Sequence, residues 1–215
     1  MTPLDPDSFA TAVDHLARLD PDLARVREQY GQPPFFSRPP GFVSLVKIIL
    51  EQQISLASAK ATFDRVAART AVTPESIGAL DEQALRDVGV TRQKARYLVG
   101  LSRWIVDGEL DLDAIATLND EAARAELVRV KGIGNWTADV YLLLALGRAD
   151  VFPVGDLALV VGVQEVKRLE TRPKAEALEV IAEPWRPWRA VATRMVWHHY
   201  VNQRGVDISK IVDVS

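Results

Sequence analysis

Two glycines two apart, Gly132 and Gly134, begin the stretch VKGIGNWTADVYLLLALGRADVFPVGD, and a single aspartate, Asp156, ends it. A tight glycine turn leaves backbone N–H groups uncovered at the start of the next helix, where they and the helix dipole suit a phosphate oxygen. Thr137 can add a hydroxyl. The same pair also suits a plain helix–helix turn, with Ile133 between the glycines pointing back to pin the two helices. Asp156 follows Pro153 and Gly155 and suits the N-cap of a helix beginning at Leu157, where the N–H dipoles favour negative charge. Arg92, Lys94, Arg96 and Arg103 form a basic cluster that fits either a phosphate track or a solvated helix face. His198 and His199 are helical neighbours that point in different directions, and His15 is remote, so no metal triad is visible. The chain has no cysteine, which removes disulfides, thiol nucleophiles, thiolate zinc and iron–sulfur clusters. Nothing matches a P-loop or a dinucleotide fingerprint.

The elements that must position these residues read as helices. Phe9, Val13, Leu16 and Leu19 share helical spacing, Pro21 opens a second segment, and GQPPFFSRPPG is a proline-rich break before the body of the chain. FVSLVKIILEQQISLASAKATFDRVAART reads as two helices meeting near Gln53–Ser55, with Ser55 able to cap the second. Further helices fit Asp81–Val88, Arg92–Val106, Asp120–Val130, Trp136–Leu146, Leu157–Val166, Pro173–Ala182 and Trp188–Gln203. Period-two alternation is scarce, so the expected class is all-α. The 215 residues are 48% hydrophobic, enough for a packed core, and the net charge of −3 gives no broad basic field. Any contact with nucleic acid must come from a local patch or from backbone amides. The acidic, proline-containing N-terminus does not read as a secretory signal, and Val140–Leu146 is too short to span a bilayer. A cytoplasmic protein without membrane contact is expected.

Three separated segments, in order, resemble the helix–hairpin–helix (HhH-GPD) base-excision DNA glycosylases, specifically the 3-methyladenine DNA glycosylase II, AlkA-like branch. FVSLVKIILEQQIS is similar to the helix and loop that enter the lesion site. VKGIGNWTADVYLLLALGRADVFPVGDLAL resembles the hairpin and following loop, and EPWRPWRAVATRMVWHHY the C-terminal helix. The similarity runs from about Pro34 to Tyr200. Two departures stand out: the chain is too short for the N-terminal mixed α/β domain of longer members, and Lys131 stands where the turn usually has proline.

The resemblance implies one glycosylase domain over 1–215, built as two helical subdomains with the active-site cleft between them. Residues 42–150 would form the central one, its hairpin at 120–146, and 1–41 with 151–215 the second. Asp156 takes the place of the catalytic carboxylate, which would stabilise an oxocarbenium-like sugar or orient the attacking water. Trp136 and Trp197 would line the base pocket, where a ring face attracts a cationic alkylated purine, with Tyr141 and the Phe35–Phe36 pair at its border. Gln53 would fill the gap left by the flipped base. Lys131, Gly132, Ile133, Gly134, Asn135 and Thr137 would bind the DNA backbone. Trp185 and Trp188 are assigned to packing. Members that also cut the strand carry a lysine at the position of Trp136, so the expectation is a monofunctional enzyme without cofactor or metal, acting as a monomer on damaged double-stranded DNA. A DNA-binding module that kept the hairpin and lost catalysis, a glycosylase for other damaged bases, and a helical interaction protein are the alternatives.

Overall fold

A computed structural model describes residues 3–207, so residues 1–2 and 208–215 of the expected second subdomain lie outside it. In chain order the α-helices are α1 (Pro6–Leu19), α2 (Pro21–Tyr30), α3 (Phe42–Glu51), α4 (Leu56–Arg69), α5 (Pro74–Gly78), α6 (Glu82–Asp87), α7 (Arg92–Val106), α8 (Leu112–Thr117), α9 (Asp120–Val128), α10 (Asn135–Leu144), α11 (Leu157–Val166), α12 (Ala175–Ala182) and α13 (Arg189–Gln203), with a short 3₁₀ turn at Glu183–Trp185. The described residues contain no strand, and none of their helices is long and apolar enough to cross a membrane.

Local chemistry sets most of the starts. Asp5, Asp20, Ser55, Thr73, Asp81, Thr91, Asp111, Asn119 and Asp156 each accept a backbone N–H in the first turn of the helix they precede. Each such cap contributes about 1 kcal/mol. Helix α10 has none: its N-cap is Gly134, which carries no side chain to do the work.

The chain forms two compact units. One draws on Met1–Ser37 and Gly147–Ser215, and the other is Arg38–Leu146. These limits stand a few residues before the sequence-based ones at 42 and 150, for reasons visible in the hydrogen bonds. The Arg38 N–H donates to the Leu144 carbonyl, its guanidinium pairs with both oxygens of Glu51 at 2.6 and 3.0 Å, and the Gly41 N–H donates to the Tyr141 hydroxyl. Residues 38–41 are therefore tied to the second unit. The Gly147 carbonyl in turn accepts from Leu4, which binds 147–150 to the first.

In the first unit α1, α2, α11 and α13 close on Phe9, Val13, Leu16, Leu23, Leu159, Val163, Trp185 and Met195. Asp20 is buried among them, capping α2 while accepting from the Trp185 indole at 2.7 Å and Lys167 at 2.6 Å. Trp185 is buried and Trp188 packs against the same cluster, as expected of both. Helices α11 and α13 cross closely: a Cβ on Gly162 would lie 2.5 Å from Cγ1 of Val196, so only glycine permits this approach. That crossing sets Asp156, at the start of α11, beside Trp197 on α13. In the second unit α3 lies against α4, α7 and α10, burying Leu45, Ile48, Ile49, Leu98, Leu101, Leu142 and Leu143.

Candidate functional site

The hairpin joins α9 to α10 within the second unit. Leu127, Val130 and Ile133 are buried where the helices meet, and the Arg124 guanidinium reaches Asp139 across them at 2.6 Å. The Ile133 N–H donates to the Val130 carbonyl, closing the turn, so this amide serves the hairpin and not a phosphate. Gly132 is in the left-handed region at φ +103°, and a Cβ there would sit 2.3 Å from Cγ of Tyr97. Both conformation and space demand glycine. Gly134 is different: its φ is −91°, and a Cβ would meet nothing within 4 Å. What Gly134 offers is bareness, since Gly134 and Asn135 are exposed at a helix start that no side chain caps. Lys131 is exposed beside them.

Thr137 corrects an expectation. Its side chain is buried and its hydroxyl accepts from the Gln52 amide at 2.9 Å, so it does not face outward toward a phosphate. The same Gln52 Nε2 donates to the Gly132 carbonyl at 2.9 Å. Gln52 thus clamps the hairpin turn to the end of α3. Lys94 completes the clamp by donating to the Leu50 and Gln52 carbonyls at 2.8 and 2.7 Å. It is therefore buried and separate from the exposed Arg92 and Arg96 with which its charge grouped it. Burial pushes the Lys94 ammonium below its usual pKa, and the nearby Glu51 carboxylate opposes that shift. Gln53, the next residue, is exposed at φ +60° at the tip of the turn so held.

Two further aromatics of this unit separate. Trp136 is half-buried in the first turn of α10. Tyr141 is fully buried, its hydroxyl accepting from Gly41 at 2.9 Å and its phenol pushed up by burial. It offers no ring face to a base and instead supports the start of α3.

In the first unit, Asp156 caps α11. Its Oδ1 accepts from the Leu159 N–H at 2.7 Å and from the Trp197 indole N–H at 2.9 Å, which fixes the orientation of the carboxylate. Trp197 is half-buried against the core with its nitrogen on that oxygen. Phe35 packs on Phe9 at 5.3 Å between ring centroids, and its ring lies 5.4 Å from the Arg194 guanidinium. Phe36 is buried, and Arg194 donates to its carbonyl. Phe35 and Phe36 are thus held by a buried cation, whose pKa burial pushes down to about 10. His199 is buried with Nε2 3.3 Å from Glu165, and burial lowers its pKa against the pull of that carboxylate.

The family model described as HhH-GPD superfamily base excision DNA repair protein matches residues 46–187. A DNA-3-methyladenine glycosylase of Bacillus subtilis is 28% identical over 206 residues, covering 90% of this chain and 68% of that protein. The solved 3-methyladenine DNA glycosylase of Schizosaccharomyces pombe, in complex with abasic DNA, aligns with a TM-score of 0.79 at 26% identity over 87% of this chain and 95% of that one. A DNA-3-methyladenine glycosidase structure from Bacillus halodurans aligns with a TM-score of 0.77 at 28% identity, covering 95% of each chain.

Proposed function

The chain belongs to the HhH-GPD superfamily of base excision DNA repair proteins, and on that premise we propose that it is a monofunctional DNA glycosylase that removes alkylated purines of the 3-methyladenine and 7-methylguanine type from duplex DNA. The observation that carries the reading is the Asp156 carboxylate, held by the Leu159 amide and the Trp197 indole. Base release breaks the bond between the purine nitrogen and the anomeric carbon. The bonding pair leaves with the base and neutralises the alkylated ring, while positive charge builds on the sugar. A carboxylate fixed against that sugar stabilises the charge and directs water to the anomeric carbon; the water then loses a proton and an abasic site remains.

The bare start of α10, at Gly134 and Asn135, receives a backbone phosphate, and exposed Gln53 enters the gap left by the flipped base. Trp197, beside the carboxylate in its own unit, offers ring surface to a cationic base, which neutral bases exploit less. Tyr141 and Thr137 have no part in contacting DNA. Trp136 supports the monofunctional assignment, because strand-cutting relatives form a Schiff base with a lysine at that position.

The deciding experiment is incubation with duplex DNA carrying 3-methyladenine or 7-methylguanine. Free base and an intact abasic strand are expected, and borohydride should trap no covalent adduct. A trapped adduct, above all one lost in Lys131→Ala, ends the monofunctional assignment. A non-catalytic DNA-binding module is the reading favoured by the cap alone, since Asp156 serves α11 without any chemistry. Duplex binding without base release would establish it.

Trp197→Phe separates the indole nitrogen from the ring. Losing a hydrogen bond to a charged acceptor costs about 1.5 kcal/mol, on the order of tenfold in rate, and should slow release of cationic and neutral bases alike. Trp197→Ala also removes the ring face, adding roughly 0.5–2 kcal/mol against cationic bases. Single-turnover rates on both lesion types check this, and a wild-type rate in Trp197→Phe would show that the indole N–H does not position the carboxylate.

A further inference from the structure

The first turns of α7 and the residue before the hairpin glycines line a shallow hollow of about 430 Å³, formed by Arg92, Gln93, Arg96, Tyr97 and Lys131. Three of the five are cations in a chain whose net charge is −3, so the hollow is a local field and not a share of a general one. Among the described residues neither Arg92 nor Lys131 has an ion-pair partner, and Arg96 reaches only Glu82, at 3.5 Å with both side chains half-exposed. Arg92 and Arg96, four apart, share one helix face.

The aromatic member of the hollow, Tyr97, is also the residue that makes Gly132 obligatory. Its hydroxyl accepts from the Gln93 amide, so its own proton remains available to donate. Continuity decides the occupant. Tyr97 packs against Gly132 on one side and borders the hollow on the other, and Lys131 precedes the same glycine in the chain. A strand received at Gly134 and Asn135 therefore reaches these cations next. The hollow opens to solvent, and its charge and aromatic surface match a sugar–phosphate backbone.

We infer that this hollow is a second backbone-binding site, holding a further phosphate of the duplex engaged by the hairpin; the inference rests on the reading of the protein as a DNA glycosylase. It lengthens the sequence-independent footprint on one flank of the lesion. Each phosphate contact contributes about 0.9 to the slope of log affinity against log salt.

The test is binding of the full chain to an undamaged duplex over a salt series. Arg92→Gln/Arg96→Gln should lower the magnitude of the slope by about 1 and weaken binding roughly 5- to 10-fold near 0.1 M salt. Arg92→Lys/Arg96→Lys keeps the charge and should retain most of the slope. Arg18→Gln, which removes an exposed cation from α1, should leave it unchanged. Trimming the duplex on successive flanks should cost the wild type affinity at a length where Arg92→Gln/Arg96→Gln loses none. A wild-type slope in Arg92→Gln/Arg96→Gln overturns the inference, as does an equal loss in Arg18→Gln. Failure of the glycosylase reading shows separately, as a wild-type protein that releases no base while the slope difference stands.

Discussion

Asp156→Asn should lose base release by about 100-fold or more while melting and binding duplex DNA like the wild type. The substitution is clean because both structural duties of the side chain survive it. Asparagine is as good an N-cap as aspartate, so its amide oxygen can still accept from Leu159 and hold the start of α11. The same oxygen can accept from the Trp197 indole. Only the negative charge disappears. The chemistry needs that charge where the sugar becomes cationic, and removing one such electrostatic contribution from a transition state typically costs about 3–4 kcal/mol. Asp156→Ala would be a poorer experiment, since it also forfeits roughly 1 kcal/mol of helix cap and mixes lost stability with lost catalysis. Single-turnover release, a thermal melt and a gel shift on Asp156→Asn make the measurement. Excision at the wild-type rate would remove Asp156 from the mechanism.

The dual position of Asp156 also shows what the amino-acid order reveals. A capping residue before an apolar run is a local signal, and the expected limits of α7 and α11, at Arg92–Val106 and Leu157–Val166, coincide with the observed ones. Helices α5 and α8 are absent from the sequence reading although Thr73 and Asp111 cap them, whereas α6, equally short, is signalled by Asp81 before an acidic first turn. The hydrogen bond from Trp197 to Asp156 spans 41 residues and depends on the close crossing at Gly162, so no local pattern announces it. Lys94 is more instructive. Charge grouped it with Arg92 and Arg96, yet its spacing from Leu98 and Leu101 places it on the buried face of α7. An ammonium on an apolar face implies internal carbonyl partners, and here they are Leu50 and Gln52. The doubled glutamine hid a similar division of labour. Gln52 turns inward to the hairpin while Gln53, in a left-handed conformation, turns out. Two adjacent identical residues cannot be told apart until the backbone angle between them is known.

The two hairpin glycines, identical in the motif, should separate completely on mutation. Gly132→Ala places a methyl carbon 2.3 Å from the Tyr97 ring and forces alanine to φ +103°. The conformation costs alanine on the order of 1 kcal/mol and the overpacking 1–3 more, and the Gln52 bond to the Gly132 carbonyl is disturbed as the turn shifts. A loss of about 2–4 kcal/mol lowers the melting temperature of a chain this size by roughly 5–15 °C. Gly134→Ala meets none of this, because its φ is ordinary and its Cβ enters open space. Its melting temperature should stay within about 2 °C of the wild type. On the proposed reading that open space is where the DNA backbone approaches the uncapped N–H groups, and a methyl group in it would hold the phosphate away. Binding to lesion-bearing and undamaged duplex should therefore weaken by the same factor, about tenfold, since the contact reads no base. Thermal melts and gel shifts on both variants make the comparison. A Gly132→Ala protein that melts like the wild type would show that the Tyr97 ring yields to the methyl. A Gly134→Ala protein with undiminished affinity would mean that the bare face of α10 receives no phosphate.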